Sequence, residues 1–464
     1  MFIGRKKELS GLNQRYKNGK FEFAVIYGRR RVGKTTLINE FIKDKEAIFY
    51  TGIEGNEKEN LEGLSRSIYS ISQDFSDTSS SFASFQEALE TVFKISEKRR
   101  IVFVIDEYPY IAASYKAISS ILQILIDKYK DTSKMFLILC GSSISFMEDQ
   151  VLGYKSPLFG RRTCQYKIKP FDFFEIRDYY SKFNNVDLAV IYGITGGIPH
   201  YMSLMNDNLS VEENIKLNFL TPNAYLFEEP TNLIKQECRD PAQYNSIIKA
   251  IATGSSRMSE ICSKTGLDTG LATSYLNKLI SLGIVKREIP FGTNSSRKTI
   301  YTLEDSMFRF WYRFVPDNMA AISRGLTDIV YKKIEQQLNS FMGGVFEEIC
   351  KQYLWELNKQ GKASVAFTDL GRWWGNDPKN KCEAEIDIMG IADEKSALFC
   401  ECKWTNGKVD TSVLDALIEK SKLFSFTKVY LYLFAKTGFT KGCIDKANEL
   451  GNVELVTFKK MLDQ

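Results

Sequence analysis

The chain has little of what a structural metal would need. It carries one histidine, His200, and nine cysteines. The cysteines are scattered and odd in number, so no zinc-ligand spacing emerges. Cys400 and Cys402 stand two apart on a predicted strand, which suits side chains sharing one sheet face better than metal ligation. Such thiols fit a reduced, intracellular protein. Long apolar runs are missing too. No segment approaches membrane-spanning length, and the opening MFIGRKKEL has no secretory h-region, so the expected location is cytoplasmic, without a membrane partner. No charge sign dominates. The formal net charge is only +5, which neither demands nor excludes nucleic acid, because a basic patch can hide in a near-neutral total. The remaining composition is that of a soluble globular protein. With 464 residues the chain exceeds what one core holds, and length alone predicts about three domains.

The most informative segment is Gly28, Arg29, Arg30, Arg31, Val32, Gly33, Lys34 and Thr35, which fits G-x-x-x-x-G-K-[ST]. The apolar run Phe23 to Tyr27 enters it, and a helical pattern from Thr36 to Ile42 leaves it. A strand, a glycine-rich turn and a helix make an anion cradle. Backbone N–H groups and the helix N-terminus face the phosphates, Lys34 reaches the β/γ-phosphates, and Thr35 can hold Mg²⁺. The competing reading is a loop that binds phosphate without hydrolysis.

Residues 100–107 form a predicted buried strand ending in two carboxylates, Asp106 and Glu107. Beside a phosphate loop the first can hold the Mg²⁺ water shell and the second can polarise the attacking water as general base. The run from Met135 to Cys140 predicts another buried strand, followed by Gly141, Ser142 and Ser143. Ser142 is a candidate γ-phosphate sensor, since ligands gather at that sheet edge, and a strand-to-helix cap is the alternative. Arg161 can stabilise phosphoryl charge in cis or from a neighbouring subunit, or belong to a surface pair.

Taken with the opening Phe2-Ile3-Gly4-Arg5-Lys6-Lys7-Glu8-Leu9, the Phe159-Gly160-Arg161 segment and Gly196-Gly197-Ile198-Pro199, these motifs resemble the archaeal-type ATPase family, which is related to AAA+ and STAND-type ATPases. The resemblance implies an α/β P-loop AAA+-type core with a helical lid, and ATP or ADP with Mg²⁺ as ligands. It implies that Gly4 and Arg5 pack near the adenine and that Pro199, with His200 beside it, approaches the nucleotide.

Between about Asp240 and Phe314 the pattern predicts three helices and two strands, a winged helix-turn-helix. Ser255 and Ser256 are the expected cap of the second helix, and Asp268 that of the third, whose apolar positions include Leu271. For DNA, Thr269, Thr273, Ser274 and Lys278 are the candidate reading face, with Lys286, Arg287, Arg297 and Lys298 on the wing for phosphates. Packing within a STAND-type switch is an equal alternative. The aromatic run Glu304 to Phe314 reads as a packing stripe rather than a base-stacking platform.

The last segment places Glu347 on a helix, Asp387 on a strand, and Glu401 and Lys403 two apart on the next strand, hence on one face. A hairpin brings Asp387 beside them. Two carboxylates can bind a divalent metal, Mg²⁺ or Mn²⁺, and the lysine can position or deprotonate an attacking water. This is the D-x(n)-E-x-K order of the restriction-endonuclease-like superfamily. Glu347 matches its additional helix acid and Glu348 is the fallback. The competing reading is an exposed Glu–Lys face without chemistry. The expected division is an ATPase core at 1–165, a helical lid at 166–238, a winged helix-turn-helix at 239–320 and an α/β restriction-endonuclease-like domain at 330–464. The expected function is an ATPase whose nucleotide state controls a nuclease-like domain acting on or binding DNA. The alternative is a non-cleaving STAND-type switch or scaffold, for which a protein partner or self-association is expected.

Overall fold

The computed structural model describes residues 2–71, 81–293 and 298–463. The chain divides into two compact units, one of residues 1–171 with 198–200 and one holding the rest.

The first unit is built on strands β1 (Glu22–Tyr27), β2 (Ala47–Thr51), β3 (Val102–Asp106), β4 (Phe136–Gly141) and β5 (Cys164–Lys167). They pair in parallel in the order β2-β3-β4-β1-β5. Parallel strands need crossovers, and helices on both faces leave the central strands dry. This is why β1, β3 and β4 read as continuous apolar runs instead of alternating ones. Successive residues serve opposite cores. Phe23, Val25, Phe103, Ile105, Leu137 and Leu139 join one cluster. Ala24, Ile26, Val102, Val104, Phe136 and Ile138 join the other. Because all strands run the same way, the segments leaving β1, β3 and β4 meet at one edge.

The second unit opens with helices, among them Asn185–Thr195, Val211–Phe219 and Tyr225–Glu237. Helices Pro241–Ala252, Met258–Thr265 and Thr269–Ser281 come next, then an antiparallel pair, β6 (Val285–Glu288) and β7 (Ile300–Leu303). Asp268 accepts from the Gly270 and Leu271 amides, as expected for a cap. The expected serine cap of the middle helix is not there. Arg257 holds that position, and the Glu260 carboxylate takes the Ser256 and Arg257 amides at 2.8 and 3.0 Å. A glutamate at the third helical position captures those donors, so the serine hydroxyls are not needed. Leu271 is 50% exposed, so the buried stripe of the next helix is narrower than its apolar spacing suggests. Arg297 lies outside the described residues. The aromatic run forms helix Ser306–Phe314, burying Phe308, Phe310, Trp311, Tyr312 and Phe314.

A 33-residue helix, Thr327–Lys359, leads into the C-terminal sheet. Its strands are β8 (Leu370–Asp377), β9 (Cys382–Ile391), β10 (Ser396–Lys403), β11 (Lys428–Ala435) and β12 (Val453–Thr457), ordered β12-β11-β10-β9-β8. β10, β11 and β12 are parallel, whereas β9 and β8 run antiparallel to their neighbours. Helix Thr411–Ser421 packs Leu414 and Leu417 against Phe399, Leu431 and Leu433 on one face. The edge strand β8 is met by two residues between β6 and β7, Phe291 and Lys298. Phe291 donates its amide to the Arg372 carbonyl at 2.9 Å, and the Trp374 indole donates to the Lys298 carbonyl at 3.1 Å.

Candidate functional site

In the first unit the loop between β1 and helix Lys34–Ile42 has a backbone only particular residues accept. Gly28 has φ +153°, and a Cβ there would lie 2.3 Å from the Ile168 carbonyl oxygen. Gly33, the residue before the helix, has φ +87°. Side chains at these two positions would strain the turn that aims the amides. Arg31 also takes a left-handed backbone, φ +71°.

Lys34 is buried, with Nζ 3.0 Å from the carbonyl oxygens of both Gly28 and Arg29. Burial pushes its pKa down, opposed by the nearby Cys140, Glu107 and Asp106. A buried ammonium satisfied by loop carbonyls sits within the cradle a phosphate would fill. Thr35 Oγ1 donates to Asp106 Oδ2 at 2.8 Å. Asp106 is 3% exposed, and its other oxygen accepts the Glu107 amide at 3.0 Å. A hydroxyl and a carboxylate side by side at a helix N-terminus form a hard-oxygen pair that fits Mg²⁺.

Glu107 stands at φ +48° just before helix Tyr108–Ser114. Its Oε2 accepts from the Ser142 hydroxyl at 2.8 Å and the Ser142 amide at 3.3 Å. The two residues sequence reading assigned separately therefore form one unit. Arg30 reaches Tyr110, guanidinium to phenol oxygen at 2.9 Å. Thr36 is exposed in the first helical turn.

The opening segment joins this loop. Arg5 is buried, donates to the Val32 carbonyl at 3.1 Å and to the Lys169 carbonyl, and lies 4.4 Å from the Phe171 ring centroid. Gly4 packs against the same ring. Pro199 lies in the first unit, its Cγ 3.7 Å from where a Gly33 Cβ would stand. Burial and the Arg31 charge lower the His200 pKa.

Arg161 is not brought to the loop. Its guanidinium grips Asp127 through two bonds, at 3.0 and 2.6 Å, and also reaches the Pro157 carbonyl at 3.0 Å. It precedes β5, and the Thr163 amide beside it bonds Phe23. That is the end of β1 opposite the phosphate loop, so the surface-pair alternative describes its geometry.

The C-terminal group sits where two strands part. Pairing between β9 and β10 runs to Ile388 opposite Cys400. One residue beyond, Asp387 Oδ2 accepts the Cys402 amide at 2.7 Å in place of a ladder bond. Burial and the Glu401 charge push the Asp387 pKa up to about 6. Burial and the Asp387 charge push Glu347, on helix Thr327–Lys359, up to about 7, against the pull of Arg372 and Arg309. Glu348 is exposed and bonds Gln352 at 3.3 Å, so Glu347 is the helix acid that faces Asp387.

Glu401 is 6% exposed. Its Oε1 holds Lys403 Nζ at 2.5 Å, and its Oε2 holds Lys420 Nζ at 2.8 Å. Burial pulls the Lys403 pKa down, but Glu401 and Asp387 outweigh it and the net shift is upward. Asp387 and Glu401 are oxygen donors of the kind a divalent ion takes. Among the described residues, however, no three His, Cys, Asp or Glu side chains are grouped to hold a metal. Cys400 and Cys402 are buried free thiols, and Cys402 is hydrogen-bonded to the Cys350 thiol.

Sequence reading missed Lys420, Arg372 and Arg309. Arg372 pairs with Glu385 and lies near Glu347. Arg309 is half-buried, with its guanidinium 5.1 Å from the Phe341 ring centroid. Lys420 reads as an ordinary last-turn cation, since nothing in its local sequence points to a strand nineteen residues back.

Residues 2–205 match a family described as an ATPase domain predominantly from Archaea, and residues 311–414 match one described as archaeal and bacterial proteins of unknown function. An uncharacterized protein of Methanocaldococcus jannaschii is 34% identical over 410 residues, covering 88% of each chain. The chain belongs to the archaeal ATPase family. An uncharacterized ATP-binding protein of the same organism is 46% identical over 46 residues, 10% of this chain and 78% of its own. Among solved structures, a Walker-type ATPase of Pyrococcus abyssi covers 67% of this chain and 96% of its own, at TM-score 0.52 and 18% identity, which is a likeness of fold. The expected family and parallel P-loop core are thus borne out. No helix among the described residues of the ATPase is long and apolar enough to cross a membrane.

Proposed function

We propose that nucleotide state in this ATPase governs a metal-dependent, nuclease-like site on the C-terminal sheet. Lys34 and the amides of residues 28–36 would hold the ATP phosphates, Thr35 and Asp106 the Mg²⁺, and Glu107 would polarise the attacking water with Ser142 as its orienting partner. Arg5 and Gly4 would border the base, and Pro199 would lie over the loop. Arg161 would serve phosphate only through a second copy. The division at 1–165, 166–238, 239–320 and 330–464 belongs to the same reading, as does a winged helix-turn-helix formed by residues 241–303.

The observation that carries the nuclease reading is the group at the parting of β9 and β10, with Asp387 on one strand and Glu401 and Lys403 on the other. Asp387 and Glu401 would ligate Mg²⁺ or Mn²⁺, Lys403 would position the water, and Glu347 would supply the outer acid. The bound ion would supply Lewis-acid polarisation of the phosphate. DNA is the substrate class we favour. The test is purified full-length protein with Mg²⁺ or Mn²⁺, with and without ATP, on plasmid and single-stranded DNA. Cleavage lost in Asp387→Ala supports the reading; no cleavage in any nucleotide state rejects it.

A second reading, a non-cleaving switch or scaffold, draws on the two ammonium groups that already occupy both Glu401 oxygens. It expects weak turnover, tightly retained ADP and no cleavage.

A further inference from the structure

We propose that Arg30 is the arginine that meets the γ-phosphate of ATP in the first unit, and that Tyr110 is the positioning residue that aims it. The inference deepens the ATPase reading above and rests on it. Phosphoryl transfer needs cations around the transferring group, and Lys34 supplies one of them from within the cradle. Arg161 brings no guanidinium there, because it grips Asp127 at the opposite end of the sheet. Arg30 is on the loop itself, and its guanidinium donates to the Tyr110 phenol oxygen at 2.9 Å. Tyr110 lies in the first turn of helix Tyr108–Ser114, which Glu107 precedes, and its amide donates to the Glu107 carbonyl at 3.0 Å. One turn of chain therefore carries both the carboxylate assigned to the attacking water and the anchor of Arg30. The Arg30 guanidinium stands on the Glu107 side of the loop. Its neighbour Arg31 has a left-handed backbone, φ +71°, and serves another side, where burial and then the Arg31 charge lower the His200 pKa.

The anchor is itself held. The Gly52 amide donates to the Asp106 carbonyl at 2.8 Å, and a Cβ on Gly52 would lie 2.8 Å from the Glu107 carbonyl oxygen. A Cβ on Gly141 would lie 2.9 Å from Pro109 Cδ. Glycines at the ends of β2 and β4 thus let the backbone close around the start of the Tyr110 helix. Tyr108 is fully buried there, and its hydroxyl shares a 2.7 Å hydrogen bond with Ser119. An arginine held by a fixed element needs little reorganisation as charge shifts in the transition state. A guanidinium carries several N–H donors in a planar fork, so a bond to Tyr110 and bonds to phosphate are compatible. Burial lowers the Lys34 pKa, and the Arg30 charge adds to that push. Two cations facing one cradle favour an anion between them. In the reaction the water oxygen bonds to the γ-phosphorus, and the bond from that phosphorus to the β–γ bridging oxygen breaks. ADP leaves with the bridging oxygen, and the water proton passes by way of Glu107 to the released phosphate. Arg30 stabilises the charge that the transition state spreads over the phosphoryl oxygens.

The competing role is structural, in which the Arg30–Tyr110 bond only ties the loop to the helix. Full-length wild type, Arg30→Gln, Arg30→Lys and Tyr110→Phe separate the two. ATP turnover gives kcat and KM, and calorimetry gives the affinities for ADP and for ADP with aluminium fluoride, a mimic of the transferring phosphoryl group. Under the proposal Arg30→Gln keeps its ADP affinity, because ADP has no γ-phosphate. Its kcat falls about 10³-fold, and its preference for ADP with aluminium fluoride over ADP falls with it. Arg30→Lys recovers only part of the rate, since an ammonium lacks the planar fork. Tyr110→Phe keeps its KM and loses about tenfold in kcat, the effect of one hydrogen bond to a charged group. Wild-type turnover in Arg30→Gln overturns the role and leaves the ATPase reading standing. Lost ADP affinity in a folded Arg30→Gln also overturns it, since the arginine would then be shaping the loop. Unchanged kcat in Tyr110→Phe overturns the positioning role of Tyr110. No turnover by a wild type that binds ATP removes the ATPase reading and the role of Arg30 with it.

Discussion

At the phosphate loop, one ammonium is satisfied by neutral carbonyls, and the carboxylates Asp106 and Glu107 bond a hydroxyl and amides. At the C-terminal group, one buried carboxylate is saturated by two ammonium groups, and its neighbours Asp387 and Glu347 have raised pKa values. The first arrangement keeps its charges available to a ligand. The second has cancelled its central charge internally, so a metal there must compete with lysines and protons. Metal binding should therefore be strongly pH-dependent at the C-terminal group.

The largest effect that could break this comparison is at the loop. Lys34→Ala should abolish nucleotide binding in a calorimetric titration, because Lys34 is the buried ammonium of the loop. Retained affinity would mean the carbonyl-bound lysine is a structural plug. Next in size, Glu107→Gln should keep ATP binding and slow hydrolysis by about 10²- to 10⁴-fold; hydrolysis at the normal rate would remove Glu107 as base. A middling effect sharpens the other side. The raised carboxyls are protonated at low pH, and an ion must displace those protons. Mn²⁺ affinity of the nucleotide-free protein should rise as pH climbs, by about tenfold per unit below pH 6 if one proton leaves, and flatten above pH 7. Without metal the sign reverses for stability. Glu347 and Asp387 hold protons better folded than unfolded, so the Asp387 contribution weakens as pH rises from 3.8 towards about 6 and that of Glu347 from 4.5 towards about 7. Glu347→Gln should flatten that slope in denaturant titrations. The smallest effect is at Arg161. Its exposed-side pair with Asp127 should be worth about 0.2–1 kcal/mol, and Arg161→Ala should leave monomeric nucleotide affinity unchanged.

Legibility in the sequence tracked locality. Gly28 to Thr35 could be read because one turn holds the whole cradle. Asp106 and Glu107 could be read because a buried strand ending in acids is itself a signal. The Glu401–Lys403 face came from strand alternation, and Asp387 from hairpin length. Arg161 remained open between three roles, because a guanidinium within reach in sequence terms sits at the wrong end of β1. The middle-helix cap was misread because two serines outshone the Glu260 that captures the amides. Lys420 could not be found at all, since its partner lies on another element and charges at helix ends are common.

The contacts of Phe291 and Lys298 with β8 have a consequence for solubility. A sheet of five strands ends in two unpaired rims, and a bare rim is a template for another chain's backbone. Phe291 spends its amide on the Arg372 carbonyl, and Trp374 is tied to the Lys298 carbonyl. Phe291 and Lys298, in a segment that could have been mere slack, thereby shield part of one rim. Shortening that segment should not only loosen β6 and β7 but expose a seam along which copies of the chain could stitch together.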